Sequence, residues 1–213
     1  NHHWIACSQT GPEKRVATKD LRTSHKIIIT PDSPHEGFIE SDEVDVSLLS
    51  WLVTDGNTRI LKRDSLNANI TQKKYAELLR TQMADWFTNE YSRTNGCSEF
   101  HIKTEKLRNL CTHYRIDHRA IKKDFSNFLI HLRPKAREIA LAAMQLAEGW
   151  VDNGVQYFSQ KPGPVLDAYL AASALNSIRL GRGKWNSAGV FQTAVIRQTP
   201  VDANYLNISE AES

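Results

Sequence analysis

The spacing of apolar residues divides this chain into a patterned middle and two weakly patterned ends. Residues 1–45 carry scattered charge, three prolines (Pro12, Pro31, Pro34) and one β-branched run, "KIIIT". So little apolar periodicity cannot support a core, and the segment reads as an arm. "SLLSWLVTDGNTRILKRDSL" joins two apolar patches through Asp55-Gly56, the grammar of a short β-hairpin. From Ile70 the spacing becomes helical. Tyr75, Leu78, Leu79, Met83, Trp86, Phe87 and Tyr91 recur at steps of three and four, with Asn69 or Thr71 as N-cap and Gly96 as stop.

Further helices follow in "TEKLRNLCTHY", in "HRAIKKDFSNFLIHL" up to Pro134, and in "KAREIALAAMQLAEGW", which places Ile139, Ala143, Leu146 and Trp150 on one face. "GPVLDAYLAASALNSIRLG" adds a last, alanine-rich helix. Beyond Gly181 the pattern decays into a few strand-like residues. The pattern predicts a mainly α fold: a helical-bundle core over 46–181 with a short β-hairpin, an N-terminal arm over 1–45 and a C-terminal arm over 182–213. No internal repeat is evident in the sequence.

Composition narrows the class. With 40% hydrophobic and 24% charged residues, the chain is a soluble folded protein, and no apolar run approaches the roughly 18 residues of a membrane span. Cys7, Cys97 and Cys111 have neither an even count nor a metal-like spacing, which points to a reducing compartment. The net charge of +3 conceals an asymmetry. Residues 31–50 hold six acids and no Lys or Arg, whereas residues 101–150 hold ten Lys or Arg against five acids. An acidic segment beside a basic body is what a polyanion-binding protein shows.

Catalytic grammar is missing. There is no G-x-G-x-x-G, P-loop, H-E-x-x-H or G-x-S-x-G, and Cys111, His113, Asp117 and His118 lack the spacing of a zinc site or a nucleophile and base. The chain therefore reads as a non-enzyme without metal or cofactor. Two binding readings remain. Leu107, Leu110, Tyr114, Ile116, Ala120, Ile121 and Phe125 fall where a helix-turn-helix wants apolar residues, with Arg119, Lys122 and Lys123 facing outward, and "IDHRAIKKDF" resembles DeoR-type repressors. A DNA-binding regulator or replication protein is the alternative reading.

The leading one rests on a longer series. "WLVTDGN" (51–57), "ITQKKYAELLRTQMADWF" (70–87), "LRNL" (107–110), the pair Asp124-Phe125 and "RPKAREIALAAM" (133–144) follow one another as in the coat proteins of flexuous filamentous plant viruses, the potyvirus type most closely. The resemblance implies a viral coat protein that polymerises helically around single-stranded RNA, with neighbouring copies of itself and genomic RNA as partners, and a place in the virion and the host cytoplasm. By position it implies an RNA groove lined by Ser47, Lys73, Lys74, Arg80 and Asp124. Lysine where the family has arginine would keep a point charge and lose a bidentate fork.

Overall fold

The computed structural model describes residues 3–8, 14–17, 20, 25–28, 36–61, 65–181, 183–196 and 205–207. Helix α1, Glu43–Thr54, opens on Asp42, whose carboxylate accepts from the backbone N–H groups of Val44 at 2.8 Å and Asp45 at 3.3 Å, with Glu43 and Asp45 complementing the positive helix end. From Leu48 to Thr54 every residue is buried, so the helix is apolar on all sides and runs through the centre of the molecule. It stops at Asp55 (φ −92°, ψ 0°), and Gly56 begins β4.

Strands β4 (Gly56–Ile60) and β5 (Leu66–Gln72) form a hairpin, followed by α2 (Ala76–Met83) and a 3-10 turn, Ala84–Trp86. A second hairpin, β6 (Phe87–Ser92) and β7 (Ser98–Ile102), completes an antiparallel sheet in the order β4-β5-β7-β6. Helices α3 (Thr104–His113) and α4 (Ile121–His131) lead to α5 (Pro134–Glu148), which starts with proline in its first turn, where the missing N–H costs nothing. The pattern then repeats. A hairpin of β8 (Gly149–Asp152) and β9 (Val155–Gln160) precedes α6 (Pro164–Leu175), and β10 (Arg179–Leu180) and β11 (Lys184–Trp185) both pair with β12 (Phe191–Ile196). The sheet order is β8-β9-β12-β10 with β11 also on β12, so β10 and β11 together hold the place that β6 holds in the first half's order β4-β5-β7-β6.

Helices cover one face of each sheet and leave the other open. In the first sheet Leu66, Ala68, Ile70, Phe100 and Ile102 point into the core, and in the second Phe158 and Val195 do. Helices α1 and α5 pack on each other between the two halves. A third antiparallel sheet joins β1 (His3–Ser8), β2 (Lys14–Ala17), β3 (His25–Ile28) and β13 (Tyr205–Asn207) in the order β13-β3-β1-β2, while most other positions of the two expected arms lie outside the described residues. The expected boundary at 45/46 falls within α1, and β12 of the expected C-terminal arm pairs with β9 along its length.

The mainly α, helical-bundle expectation is corrected by this architecture: two antiparallel sheets, β4–β7 and β8–β12, stand beside the six helices. The run 48–54 was expected as a strand and is a helix, because an unbroken apolar run has the same appearance in either state. Asp55-Gly56 is a helix end rather than a hairpin turn. The single helix expected from Ile70 is β5, α2 and β6. Strand alternation (Leu66, Ala68, Ile70, Gln72 buried) rules up to Gln72, and a register shift between Phe87 and Asn89 puts Phe87 inside and Tyr91 outside although they lie four apart. Trp150 belongs to β8, not to the face of α5. Helices α3, α4, α5 and α6 lie where the apolar spacing puts them.

Gly56 and Gly149 let each helix turn into its strand at close quarters. A Cβ on Gly56 would lie 2.2 Å from the carbonyl oxygen of Leu52, and one on Gly149 would lie 2.3 Å from that of Gln145. Gly56→Ala should therefore destabilise the protein by about 1–3 kcal/mol, seen as a lower urea midpoint with an unchanged m-value.

Candidate active site

Asp55 and Glu148 occupy the same place in the two halves, at the C-terminal end of the central helix and immediately before a glycine. Helices α1 and α5 pack on each other, and the charge of Glu148 bears on Asp55. Burial, reinforced by Glu148, pushes the Asp55 carboxyl up to about 7, against the opposing pull of the Gln72 hydrogen bond and the Lys122 charge. Burial also raises Glu148, opposed by Gln160, Lys122 and Lys161. The partial negative charge of two helix C-termini converges on the same spot.

Each carboxylate is held by a glutamine from the second strand of its own half. Gln72, the last residue of β5, donates through Nε2 to Asp55 Oδ2 at 2.5 Å, and its Oε1 accepts from the backbone N–H groups of Lys73 and Lys74. Gln160, the last residue of β9, donates to Glu148 Oε1 at a looser 3.5 Å, and its Oε1 accepts from the Lys161 N–H at 2.8 Å. Both glutamines turn to the helix-covered side of their sheets, which is what brings them to the acids. A Gln-Lys pair thus answers an acid-Gly pair twice. Beneath Glu148, Gln145 donates to the Tyr157 carbonyl and accepts from the Tyr169 hydroxyl at 2.6 Å, fixing the end of α5 to β9 and α6.

Lys122 stands in the first turn of α4, which is joined to α5 through Leu132 and Arg133. Helix α4 packs along α6, and Lys122 is the cation common to both acids. The open faces differ in chemistry. The first sheet presents Asn57, Arg59, Asn67, Asn69, Asn89 and His101, with Glu99 buried at the centre and bonded to Asn69, His101 and Arg93. The second presents Trp150 stacked on Tyr157 with ring centroids 5.1 Å apart, together with Ser159, Lys184 and Gln192.

The arrangement of these helices and sheets is shared with solved structures. The chain is similar in fold to the homing endonuclease I-DmoI. The structure of I-DmoI in complex with DNA and Mn matches with a TM-score of 0.51 at 12% identity, covering 72% of this chain and 89% of that one. That of mesophilic variants of I-DmoI matches with a TM-score of 0.50 at 12% identity, covering 73% and 89%. The LAGLIDADG meganuclease I-AabMI bound to uncleaved DNA aligns at a TM-score of 0.45 with 13% identity over 70% of this chain and 76% of its own. No protein-family model matches the chain, and no curated protein does.

These findings correct the functional expectations. The structures it matches are of a homing endonuclease, one of them in complex with DNA and Mn, and not of capsid subunits, so the readings as a filament coat, a non-enzyme, a binder of single-stranded RNA and of its own copies, and a virion component are withdrawn. The residues carried over with the coat resemblance have other contacts. Ser47 lines a cavity of about 310 Å³ with Glu43, Gln82, Met83 and Ile139. Lys73 Nζ reaches the Asn95 carbonyl at 3.4 Å, and Lys74 Nζ sits 4.8 Å from the Tyr75 ring centre. Arg80 is engaged by Glu77, Glu90 and Ser98. Asp124 accepts from the Asp117 N–H at 2.8 Å and so closes the turn ahead of α4. Lys73 and Lys74 adjoin the Gln72 that holds Asp55. The alternative reading, as a DNA-binding protein, stands closer to these neighbours than the coat does, and Ile121 and Phe125, apolar positions of that reading, are buried in α4.

The raised Asp55 carboxyl makes stability depend on pH in a definite direction. Its folded value, about 7, exceeds its ordinary 3.8, so the proton is held more tightly in the folded state. The stability it contributes is complete below about pH 4 and is lost as pH rises through 7. Asp55→Asn keeps an oxygen for Gln72 and removes the charge. In metal-free urea titrations the variant should be more stable than the native protein at pH 8, by about 1–3 kcal/mol after allowance for solvent screening, and the difference should vanish near pH 4.

Proposed function

We propose that the chain is a DNA endonuclease that lays the open faces of its two sheets along duplex DNA and hydrolyses phosphodiester bonds at Asp55 and Glu148. The observation that carries this reading is the pair itself: two carboxylates, both raised by burial and Asp55 further by the charge of Glu148, at the C-termini of the two packed central helices. The fold likeness to I-DmoI, solved with DNA and Mn, supports it, as does the excess of basic residues between 101 and 150.

The donor set fits a divalent cation. Among the described residues no group of three or more His, Cys, Asp or Glu could hold a metal, which speaks against a closed protein cage. Magnesium-type ions, however, take one or two carboxylates and complete their shell with water and phosphate oxygens. Asp55 and Glu148 supply two such carboxylates, and the negative charge gathered there is what a cation would relieve. A bound divalent cation would stabilise charge on the scissile phosphate and acidify water at the site. The protein contributes orientation and charge. Gln72 and Gln160 fix the carboxylates, Lys122 and Lys161 bring positive charge toward a phosphate, and the open faces set the register of the duplex.

The test uses a randomised pool of duplex DNA, Mg²⁺ and the full chain, with cut ends read by sequencing. Cleavage at a recurrent sequence is expected. Asp55→Asn and Glu148→Gln should each abolish cutting while leaving duplex binding intact, and Gln72→Ala should slow cutting by about 10- to 100-fold. Duplex binding should weaken steeply as salt rises, because bound counterions are released. An Asp55→Asn variant that cuts as fast as the native chain would overturn the assignment.

A further inference from the structure

The two open faces are not equivalent where they matter most. The first cross-strand row beyond each acid-glycine pair is the outward-facing row next to Asp55 in one half and to Glu148 in the other. In the first sheet this row is Asn57, Asn69, His101 and Asn89, paired in that order across all four strands. In the second it is Trp150, Tyr157 and Ala194. The positions correspond, since Asn57 follows Gly56 and Trp150 follows Gly149. Amides and an imidazole face the DNA on one side, a stacked aromatic pair and a methyl group on the other.

The chemistry of the first row is set by its surroundings. Glu99, with its side chain 7% exposed, binds Asn69, His101 and Arg93 and so orients donors and acceptors at a fixed height above the sheet. Asparagine can make two hydrogen bonds to adenine in the major groove, and His101 can donate or accept. In the second row the Trp150 and Tyr157 rings lie 13° from parallel. Trp150 is 37% exposed, so part of its apolar surface awaits cover. Lys184, Gln192 and Ser159 lie in the row behind, where charge and hydrogen bonding resume. An apolar row can distinguish base pairs in the major groove chiefly through the thymine C5-methyl group.

We propose that the two halves read the base pairs beside the cleavage point by different means: β4–β7 by hydrogen bonds to base edges, and β8–β12 by apolar contact of Trp150 and Tyr157 with thymine methyl groups. This rests on the endonuclease reading and specifies its substrate further. The target is asymmetric, with thymine enriched beside the centre in the half covered by the second sheet.

The probe is the duplex sequence recovered from the random pool, bound by the full chain. Asn57→Ala identifies the half read by the first sheet, because base preference beside the centre relaxes in that half alone. Deoxyuridine, which lacks only the methyl group, then replaces thymidine in one half at a time. Affinity should fall by about three- to fourfold per contacted methyl in the half under β8–β12 and hold in the other. Trp150→Asn, an exposed position whose change spares the core, should make binding indifferent to the methyl. Equal losses in both halves, or no loss in the second, overturn the inference while leaving the nuclease standing. A pool from which no sequence is enriched removes the inference together with the reading beneath it.

Discussion

Two carboxylates forced together at the ends of two packed helices are the constraint on which the rest of the molecule depends. Like charges, partial burial and two helix C-termini all act against having Asp55 and Glu148 side by side, and Gln72 and Lys122 offset this only in part. A fold that only needed stability would separate them. What keeps them close is the packing of α1 against α5, and that packing requires helices with almost no polar surface between them. Ser50 and Thr54, the polar residues buried within α1, return their hydroxyls to the helix's own carbonyls and demand nothing from α5. On α5, Ala140, Ala143 and Met144 are buried, and Gln145 directs both ends of its amide away toward β9 and α6.

The glycines after the acids transmit this constraint to the sheets. Because the chain turns from helix to strand with no room for a Cβ, each sheet begins within one residue of its acid, and the second strand ends where its glutamine can reach that acid. Alternation along a strand then separates two tasks. Residues of one parity, such as Ile70, Gln72, Phe158 and Gln160, serve the core and the acids. Residues of the other parity, such as Asn57, Asn69, Trp150 and Tyr157, face outward and can change without disturbing the site.

Half of this was legible in the sequence. Helices α3, α4, α5 and α6 have no side-chain N-cap hydrogen bond, but α5 and α6 open on proline and the apolar spacing finds all four. The basic excess over 101–150 pointed to a polyanion, although duplex DNA is now the proposed one. Helix α1 escaped because an all-round apolar run has no period. The segment 70–91 misled because strand, turn and bulge happen to reproduce helical spacing. The active pair escaped for a different reason: Asp55 and Glu148 lie far apart in sequence, each acid-Gly looks like an ordinary turn, and the repeat lies in topology rather than in residue identity. Its one trace is Asp-Gly before Gln-Lys and Glu-Gly before Gln-Lys, at unequal spacing, with an apolar stretch ahead of each.

The same physics explains why the coat-protein resemblance could hold its order over a long span. Its words sit at element boundaries. Asp55-Gly56 ends a helix, Asp124 closes the turn that begins one, and Arg133-Pro134 starts another. Arg137, from the "ARE" triplet, is fully buried, donating to Asn176 Oδ1 at 2.6 Å and to the Leu132 carbonyl at 2.7 Å, where it clamps the α4–α5 joint. Helical proteins of any origin need such residues at such places, so a shared order of boundary signals measures a shared rhythm of helices. An acid is informative in another way: when burial and a second acid both raise its pKa and the fold nevertheless keeps it, stability is not what holds it there. Asp55 meets that condition, whereas Asp124 accepts from a backbone N–H and closes a turn.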